Sequence, residues 1–162
     1  MRISVLTPTY NDAVSIEETL ESLVAQTYTD WEWIVINDGS TDDTEEKIQE
    51  LIQKYEIAEK CKYISQANAD QLNALIHGTQ YITGDYVFTL HSDDLLPEKK
   101  FFEKCVRIME KHPNADGLFG NLVIIDEHSK VTGMQKVKEY HPDKNILPLM
   151  LLWLGRNLYS DV

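Results

Sequence analysis

The sequence predicts an α/β protein: a mostly parallel sheet with helices on both faces. Two observations carry the prediction. Short apolar runs rich in β-branched residues alternate with longer segments of helical period along the chain. Polar, turn-forming residues follow three of those runs, at Thr7-Pro8, Asn37-Asp38-Gly39 and His91-Ser92-Asp93.

Taken in order, Ile3-Ser4-Val5-Leu6 reads as a buried strand ended by Thr7-Pro8. A helix over 15–26 follows, with Ile16, Leu20, Leu23 and Val24 on one face and Ser15 as N-cap, Glu18 three residues on. Trp33-Ile34-Val35-Ile36 is the second strand, and Thr41-Asp42-Asp43 opens a helix through Ile48, Leu51 and Ile52. Lys62-Tyr63-Ile64 is a short third strand. The helical period over 70–82 puts Leu72, Leu75, Ile76 and Thr79 on one stripe, and Gly84 is expected at the C′ position. Tyr86 to Leu90 is the fourth strand, followed by a helix from Pro97 to Lys111 with the proline in its first turn. A further strand spans 117–125, and the turn "DEHSK" leads into Val131-Thr132-Gly133-Met134.

The 162 residues are read as a single domain, 1–162. A net charge of −12, from 15 basic and 27 acidic residues, argues against nucleic acid as a partner, because phosphate backbones demand a basic face. Any phosphate-bearing ligand would need a cation or backbone N–H groups to offset repulsion. Cys61 and Cys105 show no CxxC spacing and read as reduced thiols of a cytoplasmic protein. The apolar start is too short for a signal peptide, and the run from Ile146 to Leu154, broken by Pro148, is too short for a transmembrane segment.

In open α/β sheets, ligands bind beyond the carboxyl ends of the strands, which directs attention to three tips. At the third, His91-Ser92-Asp93-Asp94 offers hard oxygen ligands suited to Mg²⁺ or Mn²⁺. Helix capping competes as an explanation, although Asp93 and Asp94 precede Pro97 by four and three residues, so at most one can be the cap. At the second, Asp38 can accept from a base N–H or a ribose hydroxyl, or form an Asx turn. "NDGST" superficially resembles the DxDGT loop of haloacid-dehalogenase-type phosphatases, but Ile36 stands where the nucleophilic Asp belongs. At the first, Thr7, Pro8, Thr9, Tyr10 and Asn11 supply hydroxyls, an amide and an aromatic ring, Tyr10 being either a base-stacking platform or half-packed. The lack of GxGxxG after the first strand and of GxxxxGK[ST] disfavours a dinucleotide dehydrogenase or P-loop NTPase.

"ISVLTPTYND", "SLVAQTYTDWEWIVINDGSTDDT", "TGDYVFTLHSDDLLP" and "NADGLFGNLVIIDE", in this order, resemble the family 2 glycosyltransferases with the GT-A (Rossmann-like) fold. The resemblance implies metal-assisted, inverting transfer of a sugar from a nucleotide-activated donor, most often UDP-linked, in polysaccharide or cell-wall glycan synthesis. The acceptor, a glycan or lipid-linked molecule, is unidentified. The resemblance also implies that the Thr7–Asn11 loop and Asp38 hold base and ribose, and that "HSDD" is the DxD-like motif. Ser92 and Asp93 would then lie near the nucleotide, with Asp94 and Asp93 as metal ligands to Mn²⁺ or Mg²⁺. Three departures stand out. His91 replaces the Asp or Asn common in that motif, and Asn73 stands where an Asp would contact the nucleotide. The catalytic base is expected beyond Val162, since Asp126, Glu127 and Asp161 match no motif for it. The chain is thus expected to be the donor-binding portion of a longer enzyme, with "ILPLMLLWLG" prompting self-association. The expected location is cytoplasmic, a peripheral place at the inner face of a membrane being compatible. A non-catalytic nucleotide-sugar-binding module is the alternative; a nucleotidyltransferase is disfavoured because a glycine-rich, arginine-bearing loop is lacking after the first strand.

Overall fold

The computed structural model describes residues 1–118, 120–126 and 128–136. The chain, read from its sequence as one domain, divides into two compact units, Met1–Asp116 and Gly117–Val162. In the first, β1 (Ile3–Thr9), β2 (Trp31–Asn37), β3 (Cys61–Ser65) and β4 (Tyr86–Thr89) form one parallel sheet in the order β3-β2-β1-β4. Its helices are α1 (Ile16–Val24), α2 (Thr44–Lys54), α3 (Gln71–Gly78) and α4 (Phe101–Lys111). In the second unit, β5 (Leu122–Ile125) and β6 (Val131–Gln135) pair antiparallel around the turn read from "DEHSK". The expected strand over 117–125 is therefore only its last four residues, in a hairpin separate from the parallel sheet. The expectations placed on Glu127, Asp161 and 146–155 lie outside the described residues. Among the described residues no helix is long and apolar enough to cross a membrane.

Every residue of β1 and β2 is buried, as a strand covered on both faces requires. Alternate side chains part to two cores. Ile3, Val5, Trp31, Trp33 and Val35 meet Ile16, Leu20 and Leu23 of α1, Ile48 and Leu51 of α2, and Phe102 and Val106 of α4. Leu6, Ile34 and Ile36 meet Ala74 of α3 on the other face.

The helix starts agree with the sequence reading only in part. Ser15 occupies the N-cap of α1, but its side chain makes no capping bond; acidic Glu17 and Glu18 favour the positive end of the helix instead. The second helix opens at Thr44, whose N–H donates to Asp42 Oδ1 at 3.1 Å. Pro97 lies outside α4, which begins at Phe101. Buried Gln26 holds that entry: its Nε2 donates to the Glu98 carbonyl at 2.9 Å, and its Oε1 accepts from Phe102 N–H at 3.1 Å.

Of the predicted α3 stripe only Leu75 packs against the core; Leu72 and Ile76 are 47% and 56% exposed, while Ala74 and Gly78 are buried. The helix sits so close to the sheet that a Cβ on Gly78 would lie 2.3 Å from Leu6 Cδ1. Gly84 is no C′ residue either. The helix runs through a 3₁₀ turn at Thr79–Tyr81, Ile82 is extended, and Gly84 crosses β1 where a Cβ would meet the Arg2 carbonyl at 2.7 Å.

At the amino ends of the strands, Glu32 is almost fully buried. Its Oε1 accepts from Ser4 Oγ (2.6 Å), Thr83 N–H (2.7 Å) and Thr83 Oγ1 (2.8 Å), and its Oε2 from Lys62 Nζ (2.9 Å). Burial opposes ionisation, but these bonds outweigh it and hold the carboxyl at about 2, below its ordinary 4.5.

Because the folded pKa lies below the unfolded one, this stabilisation is complete above pH 4.5 and is lost as the pH falls towards 2. Glu32→Gln is expected to lower stability at pH 7 by roughly 2–3 kcal/mol. Its difference from wild type should shrink at pH 3, as read by urea unfolding at both pH values. Gly84→Ala should destabilise by about 1–3 kcal/mol, whereas Gly120→Ala, with open space around its Cβ position, should change urea stability by less than about 0.5 kcal/mol.

Candidate functional site

Parallel pairing brings the tips of β1, β2 and β4 to one edge, where they open into a cleft of about 260 Å³. Pro8, Thr9, Tyr10 and Asp12 line it from the loop after β1, Asp38 from the tip of β2, and His91, Ser92 and Asp93 from the tip of β4. Asn68, Asp70 and Gln71, before and at the start of α3, complete the wall.

The loop after β2 is built to receive that wall. Gly39 has φ +74°, and a Cβ there would lie 2.8 Å from the Asn68 backbone nitrogen, so glycine serves both the turn and the close approach. Asp38 is 3% exposed. Its Oδ1 accepts from Gln66 Nε2 at 2.6 Å and from Ala69 N–H at 3.0 Å, and its own N–H donates to the Thr9 carbonyl at 2.9 Å.

The sequence-predicted residues do not all share the cleft. Pro8, Thr9, Tyr10, Asp38, Ser92 and Asp93 do, with Tyr10 48% exposed. Thr7 is fully buried beneath it, where its Oγ1 accepts from Trp33 Nε1 at 2.9 Å. Asn11, at φ +56°, fastens two loops: its N–H donates to Ser40 Oγ at 2.9 Å and its Oδ1 accepts from Thr41 N–H at 2.8 Å. Asn73 is outside the lining, its amide donating to the Ala69 carbonyl at 2.6 Å and to Asp70 Oδ2 at 3.2 Å. Buried Ser92 donates to Asp12 Oδ2 and accepts through its carbonyl from Thr19 Oγ1 at 2.8 Å.

Asp12, Asn68, Asp70 and Gln71 were missed. Asp12 lies one residue past the first tip, and its role appears only where the chain folds back: Oδ2 meets Ser92, and its N–H donates to Thr44 Oγ1 at 2.9 Å. Asp70 carried a readable signal as an N-cap, since its Oδ1 accepts from Asn73 N–H at 2.9 Å. It does so at φ 76°, ψ 162°, a conformation that normally belongs to glycine.

His91, Asp93 and Asp94 present one ligand atom each within 4.8 Å of one another. Gln71 Nε2 donates to His91 Nδ1 at 2.8 Å, and Asp94 N–H donates to the His91 carbonyl at 3.1 Å. Desolvation by the surrounding protein pushes the Asp94 carboxyl above its ordinary value, and repulsion from Asp93 adds to it. Among the described residues, the lining includes the carboxylates of Asp12, Asp38, Asp70 and Asp93 and no Lys or Arg. A hard divalent cation fits this donor chemistry.

Residues 4–155 match the sequence model of Glycosyl transferase family 2. The chain belongs to that family. An uncharacterized glycosyltransferase of Nostoc sp. (strain PCC 7120) is 35% identical over 132 residues, covering 80% of this chain and 39% of that protein. Poly-β-1,6-N-acetyl-D-glucosamine synthase of Staphylococcus epidermidis is 28% identical over 137 residues, covering 84% and 32%. The chain thus spans less than half the length of these two relatives. Among solved structures, S. aureus TarS in complex with UDP superposes with a TM-score of 0.62 at 26% identity, over 70% of this chain and 33% of that one. The mannosyltransferase PcManGT from Pyrobaculum calidifontis, in complex with GDP-Man and Mn²⁺, gives 0.64 at 24% identity over 78% and 36%, a likeness of fold. The parallel sheet of this family 2 chain is that of the GT-A fold.

In the wall of the cleft, Asp12 is expected to anchor Ser92. Asp12→Ala should lower stability by about 1–3 kcal/mol by stranding a buried hydroxyl. Adding Ser92→Ala should then cost less than the sum of the two single changes, as read from a double-mutant cycle in urea.

Proposed function

We propose that the cleft holds the nucleoside diphosphate of an activated sugar, and that the protein transfers the sugar to an acceptor with inversion at the anomeric carbon. The observation that carries this reading is the cleft at the carboxyl edge of a family 2 sheet, lined by four carboxylates and, among the described residues, by no Lys or Arg. Such a lining repels a bare diphosphate but suits one that arrives with a divalent metal.

The half-exposed Tyr10 ring stacks on the base beside Pro8 and Thr9. Asp38 uses Oδ2 to accept from a base N–H or a ribose hydroxyl, both of its side-chain bonds to the protein falling on Oδ1. Asp93 and Asp94 would hold Mn²⁺ or Mg²⁺, which when bound offsets the negative charge of the diphosphate leaving group. Ser92, Asn11 and Thr7 support rather than touch the donor, since their side chains are engaged with Asp12, Thr41 and Trp33. Asn73 supports the Asp70 turn in the same manner.

A uridine nucleotide is the favoured donor, supported by TarS, which at 26% identity is solved with UDP and with UDP-GlcNAc. The 28% identity to a polysaccharide synthase supports a growing glycan as acceptor. A cytoplasmic location agrees with the free cysteines Cys61 and Cys105.

UDP with Mn²⁺, at 100 times its Kd, should stabilise the protein by about 2.7 kcal/mol, or roughly 5–10 °C in thermal unfolding. EDTA or Asp94→Ala should abolish the shift. No shift with any nucleoside diphosphate and metal would overturn the reading. Release of UDP from a UDP-sugar separates an enzyme from a binding module.

A further inference from the structure

Gln66 and His77 line no part of the cleft, yet they sit on a hydrogen-bond chain that ends on Asp38. A glutamine amide presents either its NH₂ or its carbonyl to a neighbour, at little intrinsic cost. Facing the Asp38 carboxylate, the carbonyl would be repelled and the NH₂ held. Here Gln66 Nε2 stands 2.6 Å from Asp38 Oδ1, and Gln66 Oε1 stands 2.7 Å from His77 Nδ1. With Oε1 able only to accept, His77 must carry its proton on Nδ1. In the neutral ring Nε2 is then the acceptor, 3.4 Å from the Tyr81 hydroxyl. The rings of His77 and Tyr81 meet edge to face at 5.6 Å, and Lys62 Nζ bonds the Tyr81 carbonyl at 2.8 Å. Each donor in the chain Tyr81, His77, Gln66, Asp38 therefore points towards the cleft.

We propose that His77, acting through Gln66, is a positioning residue for nucleoside recognition: it locks the Gln66 amide so that Asp38 Oδ1 is bonded and Oδ2 faces the ligand as an acceptor. This rests on the reading of Asp38 given above. It assigns a role in donor affinity to α3 and to the loop before it, outside the cleft lining. A ligand that presents an N–H or O–H to Oδ2 gains from the lock, and one that contacts the protein only through its phosphates does not.

The experiment measures the Kd of UDP at saturating Mn²⁺ by calorimetry, with inorganic pyrophosphate and Mn²⁺ as the nucleoside-free control. His77→Ala should weaken UDP about tenfold and leave pyrophosphate unchanged. His77→Asn, which can return an N–H near the Nδ1 position, should recover most of the loss, and Gln66→Met should match His77→Ala. Nitrogen-15 shifts of the imidazole, free of any ligand, should report the Nδ1–H tautomer. Unchanged UDP affinity in both His77→Ala and Gln66→Met, equal losses for UDP and pyrophosphate, or an Nε2–H tautomer would each overturn the proposal. A wild-type protein that binds pyrophosphate with Mn²⁺ but not UDP would overturn it together with the nucleotide reading. Where His77→Ala fails to fold, Gln66→Met and the tautomer decide.

Discussion

Parallel pairing of β1 with both β2 and β4 is the constraint from which the rest of the molecule follows. In parallel strands every carboxyl end lies at one edge, so loops far apart in sequence must meet there. The register that sets Thr9 against Asn37 and Leu6 against Thr89 carries Tyr10, Asp38 and Asp93 to one cleft. The same pairing brings Ser4 against Glu32 at the opposite edge, with Thr83 and Lys62 closing around them.

The two edges hold polar groups of opposite character. At the amino edge, Glu32 receives four hydrogen bonds from Ser4, Thr83 and Lys62, and a carboxylate so satisfied is a structural tie. At the carboxyl edge, Asp93 and Asp94 lie close together, and among the described residues no Lys or Arg lines the cleft. Desolvation and mutual repulsion raise the Asp94 pKa, and a bound cation removes that repulsion. Asp12 stands between the two cases. Ser92 engages its carboxylate, so it belongs to the frame although it lines the cleft.

Helix ends were the least legible elements, because tertiary contacts decided them. Pro97 and Ser15 carry local signals for helix starts, but Gln26, from across the fold, holds the entry to α4, which begins at Phe101, and the Ser15 side chain makes no cap bond. On α3 the large apolar residues suggested the buried face. Close approach of the helix to Leu6 and Ile36 buries Ala74 and Gly78, with Leu75 partly buried beside them, and leaves Leu72 and Ile76 exposed. Gly84 was read as a helix stop, yet its lack of a side chain serves its crossing of β1.

The sequence makes the four strands and the three tips legible, since β1 and β2, buried on both faces, read as near-continuous apolar runs and a polar break at a strand end is plain to read. It also placed Asp38, Asp93 and Tyr10 at those tips. Only the folded chain shows which polar side chains hydrogen-bond to one another within the protein. The side chains of Thr7, Asn11, Ser92 and Asn73 are engaged by Trp33, Thr41, Asp12 and Asp70, pairings that no local pattern announces. Gln66 and His77 look like ordinary polar residues until folding sets them behind Asp38. The physical reason is that a hydrogen bond needs its partner within about 3 Å, and those partners lie up to 80 residues away along the chain.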